Sequence, residues 1–369
     1  MKQRHADDRA SPADRSTAVA FVAGDDRSVT VRRSLFKLGV FPGWIVLGAV
    51  LLLSALGLWL PLAYQLAPFV ASLVVLGLPH GAIDHLVPWR ARSVAVTPIR
   101  LGIVGGLYLA LGSCVLLTWY LAPVVAFVGF VAVTWLHWGQ GELYPLIALA
   151  GADYLDDEPG RWLAVLARGS LPMLVPLVAF PDQYRLVAET LVGLFGVAEL
   201  GLAATLFTPQ GRAITAVVVA ITCGVSTLRG FLRTDDRRTW LFDVSELAFL
   251  CAYFSLVPPI LAVGCYFCFW HSLRHVVRLI ALDGRSVAAI RAGSLLRACA
   301  RFGRDALPLT LLSIVLVAAT AVLLGATREP LELVGVYLVV IAALTVPHVV
   351  IVSWLDREQG LWLTGTSPG

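Results

Sequence analysis

The chain has 369 residues and a formal net charge of +4, and 58% of its residues are hydrophobic against only 14% charged. Together with a mean hydropathy of +0.82, this composition excludes a soluble globular domain and indicates an integral membrane protein. The small positive charge does not indicate a nucleic-acid partner, because the arginines cluster at the ends of apolar segments.

Apolar segments long enough to cross a bilayer as helices recur through most of the chain. Because their apolar residues are continuous rather than alternating, they predict membrane-spanning helices and not the strands of a barrel. The predicted fold class is all-α, a polytopic transmembrane helical bundle of about ten spans. The predicted spans are residues 41–63, 66–88, 101–120, 121–138, 187–207, 212–228, 240–257, 258–280, 305–325 and 331–354.

The chain is predicted to form one membrane domain between two polar ends. Residues 1–35 mix charges of both signs and lack an apolar core as long as that of a signal peptide. They are therefore interpreted as a disordered cytoplasmic tail. Residues 36–356 form the single membrane catalytic domain, and residues 357–369 form a short C-terminal tail.

Arginine clusters at the ends of the predicted spans indicate how the chain is oriented. Such clusters precede the first and seventh spans and follow the second and eighth. If all four are cytoplasmic, an even number of crossings separates residue 100 from residue 229. We therefore assign the run 161–180, which contains Arg168, Pro172 and Pro176, to a surface or broken helix. Both termini of this multi-pass cell-membrane protein are then predicted to be cytoplasmic.

Six of the seven histidines lie inside predicted spans or at their ends, where ionisable side chains are costly and face protein or cavities. Any one of them alone is more simply explained as a core residue with its hydrogen bonds satisfied. However, they come from four different spans and share one depth in the cytoplasmic half of the bundle, which favours a common site. They are His80, His85, His137, His271, His275 and His348.

Helical spacing divides these histidines further. His271 and His275 are spaced i, i+4, so both imidazoles lie on one helix face, as in a two-histidine metal site. His80 and Asp84 share a face by the same rule, whereas His85 is rotated by about 140° from His80. Asp84 is therefore predicted to orient an imidazole rather than to bind the metal. The donor types alone leave iron, zinc, copper and nickel open.

Four segments, "GLPHGAIDHL", "WLHWGQGE", "YFCFWHSLRH" and "LTVPHVVIV", resemble the signature segments of the Brp/Blh family of membrane beta-carotene 15,15'-dioxygenases. The resemblance covers residues from about 70 to 355, although Trp138 stands where family members often have Phe. It implies an Fe(II) centre held by four histidines, which carry over to His80, His137, His271 and His275.

The same resemblance implies a reaction and its partners. The family cleaves beta-carotene with O2 at its central 15,15' double bond and yields two molecules of all-trans-retinal. In microbes that carry rhodopsins, the retinal would pass to a rhodopsin apoprotein. Substrate and product are both lipophilic, so the lipid bilayer is a further partner.

Four neutral imidazoles leave the charge of a divalent ion uncompensated, so a nearby carboxylate is expected. The candidates are Asp84, Glu142, Asp243 and Glu246, among which Glu246 is notable because it lies inside a span. The alternative is that Asp243 and Glu246 pair with loop arginines. His348, which follows Pro347, is predicted to act beside the metal and not as a fifth ligand, because O2 needs an open position.

A rod-like polyene requires a long apolar tunnel with aromatic walls. Phe267 lies one turn before His271 and shares its face, which makes it a predicted substrate contact. Phe130, Trp138 and Trp270 are further candidates, with an interfacial aromatic belt as the alternative explanation for these three.

Two other classes of membrane protein are alternatives to an enzyme. A retinal-binding rhodopsin needs a buried lysine, and the only lysines are Lys2 and Lys37. A transporter whose intramembrane histidines relay protons or bind a metal cargo stays open, and inverted repeats, which the sequence does not reveal, would favour it. Loss of colour in cells that accumulate beta-carotene would distinguish the enzyme.

Overall fold

A computed structural model describes residues 26–326 and 329–362, and all regular secondary structure in these residues is helical. From the amino end, the helices are α1 (Asp26–Ala55), α2 (Leu62–Gln65), α3 (Ala67–Ser72), α4 (Gly77–Ala82), α5 (Val87–Ala91), α6 (Pro98–Leu121) and α7 (Pro123–Tyr144), which continues into a π-helical turn (Pro145–Ala150). They are followed by α8 (Glu158–Ala179), α9 (Pro181–Gly193), a 3₁₀ helix (Gly201–Phe207), α10 (Pro209–Arg233), α11 (Arg237–Leu256) and α12 (Pro259–Tyr266). A π-helical turn (Phe267–Ser272) connects α12 to α13 (Leu273–Ala281), and the last helices are α14 (Gly284–Arg291), α15 (Leu295–Leu323) and α16 (Pro330–Glu358).

The predicted all-α membrane bundle is confirmed, because ten of the described helical segments are long and apolar enough to cross a bilayer. Helix α1 begins at Asp26, inside the stretch that we assigned to the N-terminal tail. The remainder of that predicted tail, residues 1–25, and residues 363–369 of the predicted C-terminal tail lie outside the described residues.

The continuous segment from α12 to α13 lies at the centre of the bundle. In its most apolar stretch 89% of the residues are buried inside the protein, compared with 6% for α6. Helix α6 is therefore a peripheral helix whose surface is available to lipid, whereas the α12–α13 segment is surrounded by other helices. The motif "YFCFWHSLRH" lies in this central segment, which places its polar side chains away from lipid.

Helices α7 and α8 approach each other more closely than side chains with a Cβ atom would allow. A Cβ atom on Gly139 would lie 1.9 Å from the carbonyl oxygen of Val165, and one on Gly169 would lie 1.9 Å from that of Trp135. The indole of Trp135 also donates a hydrogen bond of 2.8 Å to the carbonyl of Leu166. The two helices are therefore joined at nearly backbone distance, and α7 carries His137.

The assignment of run 161–180 to a surface or broken helix was wrong, as was the span at 187–207. Residues Glu158–Ala179 form one continuous buried helix, α8, which is among the ten candidate spans. The region 187–207 instead breaks after Gly193, and Gly196 has a φ of +75°, which interrupts a helix. One span replaces the other, so the number of crossings between residues 100 and 229 is still even.

The second predicted span, 66–88, is not a continuous helix. It contains the short helices α3 and α4 and the start of α5, which are separated by turns at residues 73–76 and 83–86. Pro68 and Pro88 begin α3 and α5, and a Cβ atom on Gly77 would lie 2.6 Å from the carbonyl oxygen of Ser72. Irregular backbone at membrane depth is tolerated where it is covered by protein or lines a cavity. Helix α4, whose residues are mostly buried, meets that condition.

Candidate metal centre

Five buried imidazoles, each carried by a different helical element, converge on one point. They come from α4, α7, the π-helical turn after α12, α13 and α16, and they are His80, His137, His271, His275 and His348. The ring centroid of His80 lies 5.5 Å from those of both His271 and His275. That of His137 lies 4.9 Å from His271 and 6.5 Å from His275. The structure thus brings together all four histidines that the resemblance nominated as ligands.

Most ring nitrogens in this cluster have no hydrogen-bond partner in the part of the chain that the structure describes. Both nitrogens of His137 and of His271, and Nε2 of His275 and of His348, are buried and unpaired. Leaving a buried polar atom unpaired costs free energy, and native proteins rarely accumulate several such atoms at one place. Imidazole is a good ligand for divalent transition metals. The arrangement therefore fits a bound metal ion, which would accept these lone pairs.

Two of the histidines are held by the groups behind them. Nδ1 of His80 contacts the carbonyl oxygen of Gly77, and because a carbonyl can only accept, this nitrogen carries the proton. Nδ1 of His348 lies 2.7 Å from Oδ2 of Asp84, which also accepts a 2.6 Å hydrogen bond from the hydroxyl of Tyr108. Asp84 therefore orients an imidazole, that of His348.

Local backbone features aim these side chains. The π-helical turn Phe267–Ser272 carries His271 and ends just before α13, which carries His275. Such wide turns interrupt α-helices frequently at functional sites. A Cβ atom at Gly141 would lie 3.1 Å from Cε1 of His271, so this glycine leaves room for the ring.

Four of the five clustered histidines, His80, His137, His271 and His348, line a mostly apolar cavity of about 560 Å³. On one side, the walls reach the amino-terminal ends of α7, α9 and α16. Phe127, Tyr184 and Leu331 lie in this part of the wall. The walls also extend between α6 and α15, where they include Leu101, Gly105 and Leu312, all of which are exposed. The cavity therefore opens on the outer surface of the bundle.

Three of the four predicted aromatic contacts lie on the cavity wall. Phe267 and Trp138 stack at 6.1 Å, Phe267 stacks at 6.3 Å on His271, and Phe130 lies in the wall as well. Trp270 is placed elsewhere. Its indole nitrogen donates to Glu142 over 3.3 Å and its ring lies 4.0 Å beneath the guanidinium of Arg274.

A second polar cluster, which we call the charge network, is buried beside the histidines. It contains two arginines and three acids: Arg168, Arg274, Glu142, Asp243 and Glu246. Arg168 is 2.7 Å from Glu142, Arg274 is 2.6 Å from Glu142, and both arginines contact Glu246. Arg168 also binds Asp243.

The contacts of Glu246 lie in the charge network and not at the histidine cluster. Asp243 and Glu246 pair with arginines inside the bundle and not with loop arginines. The hydrogen bonds of Glu246 go to these two arginines and to the indole of Trp44 at 3.2 Å, and none goes to an imidazole. Of the two predicted outer acids, it is therefore Asp84 that touches the histidine cluster.

Sequence reasoning missed Tyr108, Arg168 and Arg274 as parts of these two clusters. Arg274 had a usable signal, because it is an arginine inside a predicted span between two histidines. Tyr108 had none, since a single tyrosine on a lipid-facing helix is common. His85, which the helical angle had separated from His80, binds the carbonyl of Ala82 over 2.9 Å and stands outside the five-imidazole cluster.

Comparison with known proteins gives one consistent result. A family sequence profile described as beta-carotene 15,15'-dioxygenase matches residues 71–356. The chain is 44% identical over 334 residues to the probable beta-carotene 15,15'-dioxygenase Blh of Halobacterium salinarum, which covers 89% of this chain and 95% of that relative. It is 29% identical over 328 residues to the probable beta-carotene 15,15'-dioxygenase Brp of the same species, covering 83% of this chain and 88% of the relative. No solved structure matches the chain.

Proposed function

The chain belongs to the beta-carotene 15,15'-dioxygenase family, and on that premise we propose that it cleaves beta-carotene with O2 at a buried Fe(II) centre. The proposed ligands are His80, His137, His271 and His275, and the proposed products are two molecules of all-trans-retinal. The observation that carries this proposal is the convergence of these four imidazoles beside one apolar cavity. Three of them, His137, His271 and His275, have unpaired buried nitrogens.

Iron fits the residues that are present. The donor set consists of neutral imidazoles with a carboxylate behind one ring, a combination that suits Fe(II) among the first-row metals. When bound, Fe(II) would supply the O2 and redox chemistry that no side chain of the chain provides. The protein's own residues supply orientation, charge and the exclusion of water.

The surrounding carboxylates can balance the charge of a divalent ion. Counted as ionised, the three acids of the charge network exceed its two arginines by one negative charge. Asp84 adds a second negative charge at His348. In a medium of low dielectric constant, an uncompensated dication would be expensive, so these two negative charges favour a divalent metal.

The cavity suits a long apolar substrate that is cut near its middle. A polyene centred on the histidines needs apolar room on both sides, and the cavity wall reaches both the α7, α9 and α16 region and the opening between α6 and α15. Phe267 and Trp138 would pack flat on the conjugated chain beside His271. Apolar walls also exclude water from the reacting bond.

The orientation and the fate of the product complete the proposal. With both termini in the cytoplasm, the five imidazoles lie in the cytoplasmic half of the membrane, within one catalytic domain that contains residues 36–356 and the start of α1 from Asp26. Retinal released through a lateral opening would enter the lipid bilayer, from which a rhodopsin apoprotein could take it up.

Product analysis with purified protein tests this function. Iron-loaded protein incubated with beta-carotene and O2 is expected to give retinal as the sole aldehyde, and His137→Ala to give none. Gly129→Ala is the control on the same helix, because this exposed position is not part of the cavity wall and has free space around it. Unequal apocarotenals, or cleavage without O2, would contradict the proposal. A transporter would leave the colour of beta-carotene unchanged.

A further inference from the structure

His348 is embedded among the four proposed ligands. Its ring centroid lies 4.8 Å from that of His137, 5.1 Å from that of His80 and 5.1 Å from that of His275. The measured centroid distances among the four proposed ligands themselves range from 4.9 to 6.5 Å. The ring of His348 is therefore as close to those of His80, His137 and His275 as the rings of the proposed ligands are to one another.

The hydrogen bonds of His348 leave its other ring nitrogen free for a metal. An ionised carboxylate can only accept, so Nδ1 of His348 donates to Asp84 across 2.7 Å. The lone pair is then on Nε2, which is buried and has no partner. A carboxylate behind a histidine whose second nitrogen is free is the usual arrangement of a metal-binding histidine.

Tyr108 fixes this arrangement from the far side. Its hydroxyl donates a 2.6 Å hydrogen bond to Oδ2 of Asp84, the same oxygen that accepts the hydrogen bond from Nδ1 of His348. Tyr108 belongs to α6, Asp84 to the turn after α4 and His348 to α16. Residues of two other elements therefore fix the position of the imidazole on α16, which is more than the packing of a core histidine requires.

We propose that His348 is a fifth imidazole ligand of the metal, through Nε2, and that Asp84 and Tyr108 are its positioning residues. This inference rests on the proposed function. The proposal replaces the prediction from the sequence that His348 is not a fifth ligand. A six-coordinate ion held by five imidazoles would still leave one position open for O2.

The donor atoms form two groups that meet where the ring of His348 faces those of His80 and His137. Metal to imidazole bonds of about 2.1 Å place neighbouring donor atoms about 3 Å apart. The donor atoms of His80, His137 and His271 lie within 4.8 Å of one another, and those of His275 and His348 lie within 4.8 Å of each other and of Asp84. The ring planes of His348 stand 71° to 89° from those of three neighbours, so their edges can point at a common centre.

Iron binding by four variants tests the proposal. The affinity of purified protein for Fe(II) is measured by competition with a chelator, and the number of imidazoles around the iron by X-ray absorption. We expect His348→Ala to lower the affinity by about 100-fold or more, and Asp84→Asn by about 10- to 100-fold as a partner of a ligand. Tyr108→Phe should have a smaller effect in the same direction, and His85→Ala, the matched control, none.

Each outcome is decisive. One imidazole fewer in His348→Ala than in the unaltered protein, measured side by side, supports a fifth ligand. Unchanged affinity, or lowered affinity with an unchanged imidazole count, overturns it and leaves the proposed function intact. Should His348→Ala not fold, His348→Gln keeps a partner for Asp84 and is judged by the same count. If the unaltered protein binds no iron, the proposed function itself fails.

Discussion

The two buried polar clusters share α7 and the α12–α13 segment, yet their polar atoms are satisfied in opposite ways. In the charge network, arginine and acid bind one another directly, with Glu142 receiving both Arg168 and Arg274. In the histidine cluster, the imidazoles face one another, and six of their ring nitrogens are buried without a hydrogen-bond partner among the described residues. A saturated cluster stabilises the fold without any ligand, whereas an unsaturated one gains most of its stabilisation when a ligand arrives.

The largest loss of stability is expected when the charge network loses its central cation. Arg168→Met leaves Arg274 as the arginine partner of Glu142 and Glu246, and it leaves Asp243 with the hydroxyl of Tyr154. Breaking a buried ion pair from one side costs about 3–5 kcal/mol of the free energy of unfolding. Titration with sodium dodecyl sulfate in mixed micelles would measure this loss. Arg185→Met, which removes an exposed pair with Glu189, should cost less than about 1 kcal/mol.

A second change separates the two helices on which both clusters depend. Gly139→Ala would place Cβ 1.9 Å from the carbonyl oxygen of Val165, so α7 and α8 must move apart. We expect a loss of about 3 kcal/mol in the same titration, with weaker metal binding because α7 also carries His137. Gly129→Ala on the exposed side of α7 has free space around it and should be neutral or slightly stabilising. Equal stability of both variants would contradict the close approach of α7 and α8.

Trp270, beside the charge network, and Trp138, on the cavity wall, should respond differently to replacement by phenylalanine. Trp270→Phe removes a hydrogen bond to Glu142, so we expect a loss of about 1–2 kcal/mol in stability. Trp138→Phe alters the cavity wall, so we expect a changed KM for beta-carotene and a smaller loss of stability, below about 1 kcal/mol. If Trp270→Phe changed only KM, the placement of Trp270 beside the charge network and away from the cavity would be wrong.

The smallest effect on the stability of metal-free protein is expected in the histidine cluster itself. His137→Ala removes two unpaired buried nitrogens, so the lost packing is offset and the metal-free stability should change by less than about 1 kcal/mol. The same variant should lose the stabilisation that added Fe(II) gives to the unaltered protein. Thermal unfolding with and without Fe(II) measures both quantities. A large loss in the metal-free form would mean that the histidines, like the charge network, are structural.

The sequence was sufficient for properties that depend on local composition. Apolar length determines that the chain spans a membrane, because each helix must satisfy its own backbone in lipid. The depth of the histidines predicted a common site, because imidazoles at one level in several helices can meet, and the family resemblance selected four of them as ligands. These conclusions need no knowledge of which helix is adjacent to which.

The tertiary structure decided everything that depends on partners distant in the chain. The sequence argued against α8 as a span partly because of Arg168, yet that charge is neutralised by Glu142, Asp243 and Glu246, which lie 26, 75 and 78 residues away. Likewise, Asp84 finds His348 across 264 residues. The cost of a buried charge depends on the groups that surround it, and helix packing, not local sequence, determines those groups.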